Sequence, residues 1–257
     1  MRPLMKYTLI TATRDLLFIG LFIVILVAIG ISYFLGNTSM IETRAMVVSY
    51  AAFSSRFILV TGLIVFVCFH VRRAFENKEI EVQLSRPISR FQFVIEYWLG
   101  FVVLTLLVTI PVIAVMAFIA PANVQSLMLW GLSIVVEGTL MVAFALVTSL
   151  ILQSAVSPVL LSLGFYVVSR MMGYFMATTK IPHYYQPSII VDHLSEYVVM
   201  ATSMFLPRLD FFGKSEWLIY GISAHATHDL ILFIIQAAVY IPFLLGVAIF
   251  DFKRKQF

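Results

Sequence analysis

The sequence is poor in everything a soluble domain of its size needs. Charged residues make up only 12% of the chain, about half the share in an ordinary globular domain. That scarcity excludes a large water-facing surface. There is one cysteine, Cys68, inside an apolar run, so an intramolecular disulfide is excluded. No Gly-x-x-x-x-Gly-Lys-Ser/Thr loop occurs, so the chain has no phosphate cradle of that type and no nucleotide site is read in it. No His-Glu-x-x-His pattern occurs, which removes the zinc-protease signature. The first apolar run ends in Tyr33-Phe34-Leu35-Gly36 without a small-residue cleavage site, so no cleavable leader is read. Short alternating strands are also missing, which argues against a membrane β-barrel.

What is present is apolar. Hydrophobic residues reach 61%, and the mean hydropathy is +1.01. Apolar runs of spanning length fall at Leu16–Leu35, Ala51–Val71, Trp98–Ala120, Leu127–Leu152, Pro158–Thr178 and Leu230–Phe250. Each matches the roughly 20 residues that a helix needs to cross the hydrocarbon core. Backbone groups in lipid must be paired within their own segment, so these runs are expected to be helices. The expected fold class is all-α: a polytopic membrane bundle of about six transmembrane helices forming one domain over residues 1–257.

Lys and Arg set the expected orientation. Eleven of the 17 sit in the amino-terminal arm (Arg2, Lys6, Arg14), the second connection (Arg72, Arg73, Lys78, Arg86, Arg90) and the tail (Lys253, Arg254, Lys255). The positive-inside rule places these segments, and both termini, in the cytoplasm. The net charge of +4 is explained by this topology, and no nucleic-acid partner is read from it. The segment Leu4 to Asp15 is mixed apolar and basic and is expected to be an interfacial elbow helix. On the outer side, Ile190, Leu194, Tyr197, Val198, Ala201, Met204 and Phe205 recur at helical spacing, and Pro207 ends the run. They predict an amphipathic helix before the sixth span. A seventh span is the rival reading, and Asp192, His193 and Glu196, so close together, argue against it.

Three ionisable residues fall inside apolar runs: Arg56, Glu137 and Arg170. A charge at the bilayer centre costs about 2.5–3.5 kcal/mol, so each should face protein or water. They either line a pathway or lock a conformation, or they form a static contact. For the two arginines, snorkelling to the interface is a further alternative. His225, His228 and Asp229 have a spacing that could hold a metal. Polar residues at the outer interface are the plainer reading, and no metal site is expected. His70 lacks a second intramembrane histidine, so a haem pair is not read. Pro111, Pro158 and Pro242 fall within or at the ends of spans and could kink them.

The stretch from Phe75 to Gly100 links the second and third spans. Glu76, Glu79 and Glu81 come first. Pro87 then fixes a turn. Ser89 is placed to cap the following helix, and Tyr97-Trp98 suit the interface.

This stretch resembles the permease subunits of ABC-2-type ATP-binding-cassette transporters. The resemblance rests on Glu79, Leu84, Ser85, Pro87, Ser89, Arg90 and Gly100, and on the six-helix layout. The chain lacks the Gly-Thr pair and the lysine that many members carry; Ile80-Glu81-Val82 and Glu96 stand there instead. The resemblance therefore does not extend to a substrate. It implies a coupling helix formed around Glu76, Glu79, Glu81, Leu84, Ser85, Pro87, Ser89 and Arg90, docked on a separate ATPase subunit. That subunit would bind ATP and Mg, with no cofactor in this chain. A second permease copy or homologue would complete an exporter in the bacterial inner membrane. Two other classes stand beside it: an intramembrane lipid-modifying enzyme using Asp192 and His193, and a non-catalytic membrane scaffold.

Overall fold

The computed structural model describes residues 3–38, 42–84, 89–120, 122–152, 154–178, 197–203, 205–222 and 226–254. Six helices among them are long and apolar enough to cross a membrane, and the chain is an all-α polytopic membrane protein. A short helix, α1 (Pro3–Arg14), precedes the first span, α2 (Leu16–Asn37). Next come α3 (Thr43–Glu76), a six-residue helix α4 (Glu79–Leu84), α5 (Arg90–Ile119), α6 (Val124–Ile151) and α7 (Val156–Thr178). Residues 197–203 are helical. A 3₁₀ turn (Leu209–Phe212) and a one-turn helix α8 (Glu216–Ile219) lead into the last span, α9 (Ala226–Arg254).

The six expected spans are all present, and several are longer than the apolar runs suggested. Helix α3 has 34 residues, about 50 Å at 1.5 Å per residue, against a hydrocarbon core of about 30 Å. It therefore projects beyond the apolar layer. Helix α5 begins at Arg90, eight residues before the expected span. Ser89 caps it as its position suggested: its backbone is extended and its hydroxyl accepts a hydrogen bond from the Gln92 amide at 3.1 Å. Asp15 does the same for α2, accepting from the Leu17 amide at 3.0 Å. Both caps satisfy amides that the first helical turn leaves without an internal partner. Pro111 and Pro242 lie inside the continuous helices α5 and α9. Lys78, with φ of 56°, takes the left-handed conformation that ends α3 and redirects the chain into α4.

Helix α6 is the hub. Most of it is buried, and it packs against α3, α5, α7 and α9. Its sequence explains why. Gly131 leaves room for Ile113 of α5, and Gly138, two turns later on the same face, leaves room for Thr105. Small residues let helices approach closely, which is the main source of cohesion between helices in lipid. The α2–α3 hairpin uses the same device. Gly36 lies against Val47, and the Ser32 and Ser54 hydroxyls share a hydrogen bond of 3.2 Å.

A methyl group at position 36 would sit 2.8 Å from the Val47 backbone nitrogen and Cα. Gly36→Val is expected to cost about 1–3 kcal/mol through overpacking, seen as a lower thermal midpoint in detergent. Gly20→Ala, where a Cβ meets nothing within 4 Å, should leave the midpoint unchanged or raise it.

Candidate functional site

The three intramembrane charges meet at one point. Glu137, near the middle of α6, is fully buried. One carboxylate oxygen accepts from Arg56 of α3 at 2.8 Å, and the other accepts from Arg170 of α7 at 2.7 Å. Arg56 is only 1% exposed. Its second terminal nitrogen donates to the Ser133 hydroxyl at 2.7 Å and to the Trp130 carbonyl at 3.4 Å. Its carbon lies 5.5 Å from the centre of the Trp130 ring. Snorkelling is therefore not what these arginines do; both side chains turn inward to the carboxylate.

The node carries two cations and one anion, so one positive charge needs further compensation. It comes from the chain's other long connection. Arg56 donates to the Phe212 carbonyl, and Arg170 donates to the Leu209 carbonyl at 3.3 Å. Both carbonyls belong to the 3₁₀ turn. Asp210 of the same turn lies against Gly173 of α7, where a Cβ would collide with its carboxylate. It also pairs with Arg208 at 2.8 Å. Gly213 likewise leaves space for the Arg170 guanidinium.

The turn is deep. Glu137 lies 13 residues into α6 and Arg56 13 residues into α3, about 20 Å along each axis. The connection before the last span thus enters the bundle, with Leu209, Phe212, Trp217 and Leu218 all buried. The sequence reading placed an amphipathic helix at the outer surface and did not find this plug. Its signal was the apolar density of Leu209, Phe211, Phe212, Trp217, Leu218 and Ile219. Of the expected surface helix, residues 197–203 are helical and their Tyr197 and Val198 are exposed. Residues 179–196, with Asp192 and His193, lie outside the described residues.

The second feature is a collar at the end of the bundle that carries both described chain ends. Tyr7 of α1 donates to Glu79 of α4 at 2.8 Å. Burial, and then this hydrogen bond, raise the Tyr7 phenol above its ordinary pKa, so it remains a donor at neutral pH. Arg73, at the end of α3, pairs with Asp15 between α1 and α2 at 2.9 Å. Glu76 pairs with Arg72 one turn away at 2.8 Å. Arg90, at the start of α5, donates to the Phe252 and Lys253 carbonyls of α9 at 2.9 and 3.0 Å. A cation is favoured at that helix end. Beneath these contacts, Phe252, Phe93, Tyr97 and Phe101 are neighbours in sequence of contact, with ring centres 5.2 Å apart at each step. His70 packs on Tyr97 and Phe101, so α3, α5 and α9 share one aromatic layer.

Of the residues singled out around Pro87, Glu76, Glu79 and Arg90 are thus held within the collar, and Ser89 caps α5 beside it. Glu81 and Leu84 lie on α4. Ser85 and Pro87 lie outside the described residues. Sequence reasoning missed Tyr7 and Asp15 as partners, and it also missed Glu96, which is buried and accepts from Gln92 at 2.7 Å. Asp229 binds Lys214 at 2.5 Å. Among the described residues no group of three His, Cys, Asp or Glu side chains could hold a metal.

Removing one partner of a buried pair strands the other, at about 3–5 kcal/mol. Glu137→Gln strands two guanidinium groups and should be the most destabilising change at the node, by about that amount in detergent unfolding. Arg170→Gln leaves Arg56 and Glu137 as a balanced pair and should cost less.

Neither the protein-family models nor the curated protein sequences give a match to this chain.

Proposed function

We propose that this chain is the membrane-spanning permease subunit of an ATP-binding-cassette exporter of the ABC-2 type that it resembles. A separate ATPase, binding ATP and Mg, would dock on α4 and the segment through Pro87. A second permease copy or homologue would complete the pore. In this reading the termini and α4 face the cytoplasm of a bacterium, and the plug faces outward across its inner membrane.

One observation carries the proposal: a single helix, α3, joins the motor-facing collar to the buried node. Arg56 and Glu76 are 20 residues apart on it, about 30 Å. A push on α4 reaches α1 through Tyr7–Glu79 and α2 through Arg73–Asp15. Packed elements of this kind move as rigid bodies. Deeper in the bundle, α3 carries the guanidinium that holds the plug carbonyl of Phe212. Displacing α3 along or across its axis breaks that contact and frees the plug. ATP binding beneath the membrane would thereby open the opposite side. Glu137 holds Arg56 and Arg170 in place by pairing with both, so it serves as a lock rather than a catalyst.

The test is recovery of the motor. Purified from its native membrane in mild detergent, the protein should bring with it a nucleotide-hydrolysing subunit bearing a phosphate-binding loop. A photo-crosslinking residue at position 85 should label that subunit, and one at position 44, at the opposite end, should not. Failure of any such protein to copurify or to be labelled would overturn the proposal. ATP-independent turnover of a lipid would favour the enzyme reading in its place.

A further inference from the structure

A cleft of about 610 Å³ opens beside the elbow, lined by Tyr7, Ile10, Thr11, Asp15, Leu16 and Arg73. Its size lies in the roughly 300–1,000 Å³ range of small-molecule sites. Its position is fixed by the span it adjoins. Leu16 is the first residue of α2, whose 22 residues are strongly apolar. The cleft therefore sits where α2 enters the bilayer, at the level of lipid headgroups. Its apolar edge faces outward: Leu16 is 82% exposed and Ile10 is 45% exposed.

Its polar wall holds one charge of each sign. The Asp15 side chain is 10% exposed, and its two oxygens each accept one hydrogen bond, from the Leu17 amide and from Arg73. A carboxylate oxygen can accept two. The Arg73 side chain is 52% exposed, and its hydrogen bond to Asp15 uses one terminal nitrogen. The rest of its donor fork has no partner among the described residues. We infer that this cleft binds one phospholipid whose headgroup ends in a primary amine, of the phosphatidylethanolamine class. The phosphate takes the open edge of Arg73, which matches phosphate geometry. The ammonium, with its own donors, takes the remaining capacity of Asp15. The acyl chains run down the exposed edge formed by Ile10 and Leu16.

The charge pair selects the occupant. A phosphatidylglycerol headgroup would bring its phosphate beside Asp15 with no cation to offset that carboxylate. A choline headgroup carries no N–H to donate to it. Basic sites between spans at this depth recognise lipid headgroups by the same forces. This site differs in being charge-balanced, which suits a zwitterion. The inference needs only that the chain is embedded in a bilayer; it is independent of the exporter proposal.

The experiment is native mass spectrometry of the full chain in detergent, with phosphatidylethanolamine, phosphatidylglycerol and phosphatidylcholine added in equal amounts. The wild type should retain one phosphatidylethanolamine per chain in preference to the others. Arg73→Gln should lower retention of that lipid about tenfold or more, the worth of one hydrogen bond to a charged group. Asp15→Asn keeps a side chain that can cap α2 but removes the charge, so it should retain lipid while losing the preference over phosphatidylglycerol. Asp15→Ser, also a capping residue, serves the same purpose if the asparagine variant does not fold. Arg44→Gln, at the opposite end, should match the wild type. Equal retention of all three lipids by the wild type, occupancy by detergent alone, or an unchanged preference in the Asp15 variants would each overturn the inference.

Discussion

A carboxylate with a guanidinium on either side, out of reach of water, is the constraint that orders this protein. Glu137 could not be buried in the middle of α6 without Arg56 and Arg170 as partners, and neither arginine could turn inward without it. Satisfying the three together fixes α3, α6 and α7 relative to one another at a common depth. The excess positive charge then draws in a segment that belongs to none of them. Backbone carbonyls of the 3₁₀ turn complete the electrostatics, and the non-helical backbone tolerated there is buried in protein rather than exposed to lipid.

The two ends of the bundle are stabilised by different physics. At the plug end, buried charge and carbonyl dipoles dominate. At the collar, aromatic rings supply cohesion: each neighbouring pair of the Phe252–Phe93–Tyr97–Phe101 series contributes about 0.5–1.5 kcal/mol beyond its burial. The exposed pairs around it, Arg72–Glu76 among them, are each worth about 0–1 kcal/mol. Such pairs set register more than stability. Helix α3 belongs to both regions, so neither end can rearrange without reporting to the other.

The fold was largely legible in the sequence because the bilayer simplifies the problem. Spanning length and apolarity are local properties, and so are the caps at Asp15 and Ser89. The three buried charges were also legible as anomalies, since lipid makes every ionisable residue conspicuous. Their mutual pairing was not, because residues 81 and 33 positions apart carry no local pattern that names a partner. The plug was missed for a related reason. Its buried residues, Leu209, Phe212, Trp217 and Leu218, fall in runs too short to register as a span. Their burial depends on charges elsewhere in the chain. The collar was half legible: the acidic residues after α3 stood out, whereas Tyr7 became a partner of Glu79 only once α1 folded back across the base of the bundle.

Chain order gives the central ion triad a consequence for biogenesis. Arg56 emerges long before Glu137, and Arg170 emerges after it. When α6 enters the membrane, one of its two counter-charges is already there and the other is still being synthesised. Pairing with α3 removes the cost of about 2.5–3.5 kcal/mol that an unpartnered acid imposes on insertion. Helix α3 must then stay near the insertion machinery while α5 passes, and α7 closes the triad afterwards. The plug turn, made later still, can find its guanidinium partners only when both arginines are in place, so it seats after α7 has closed the triad.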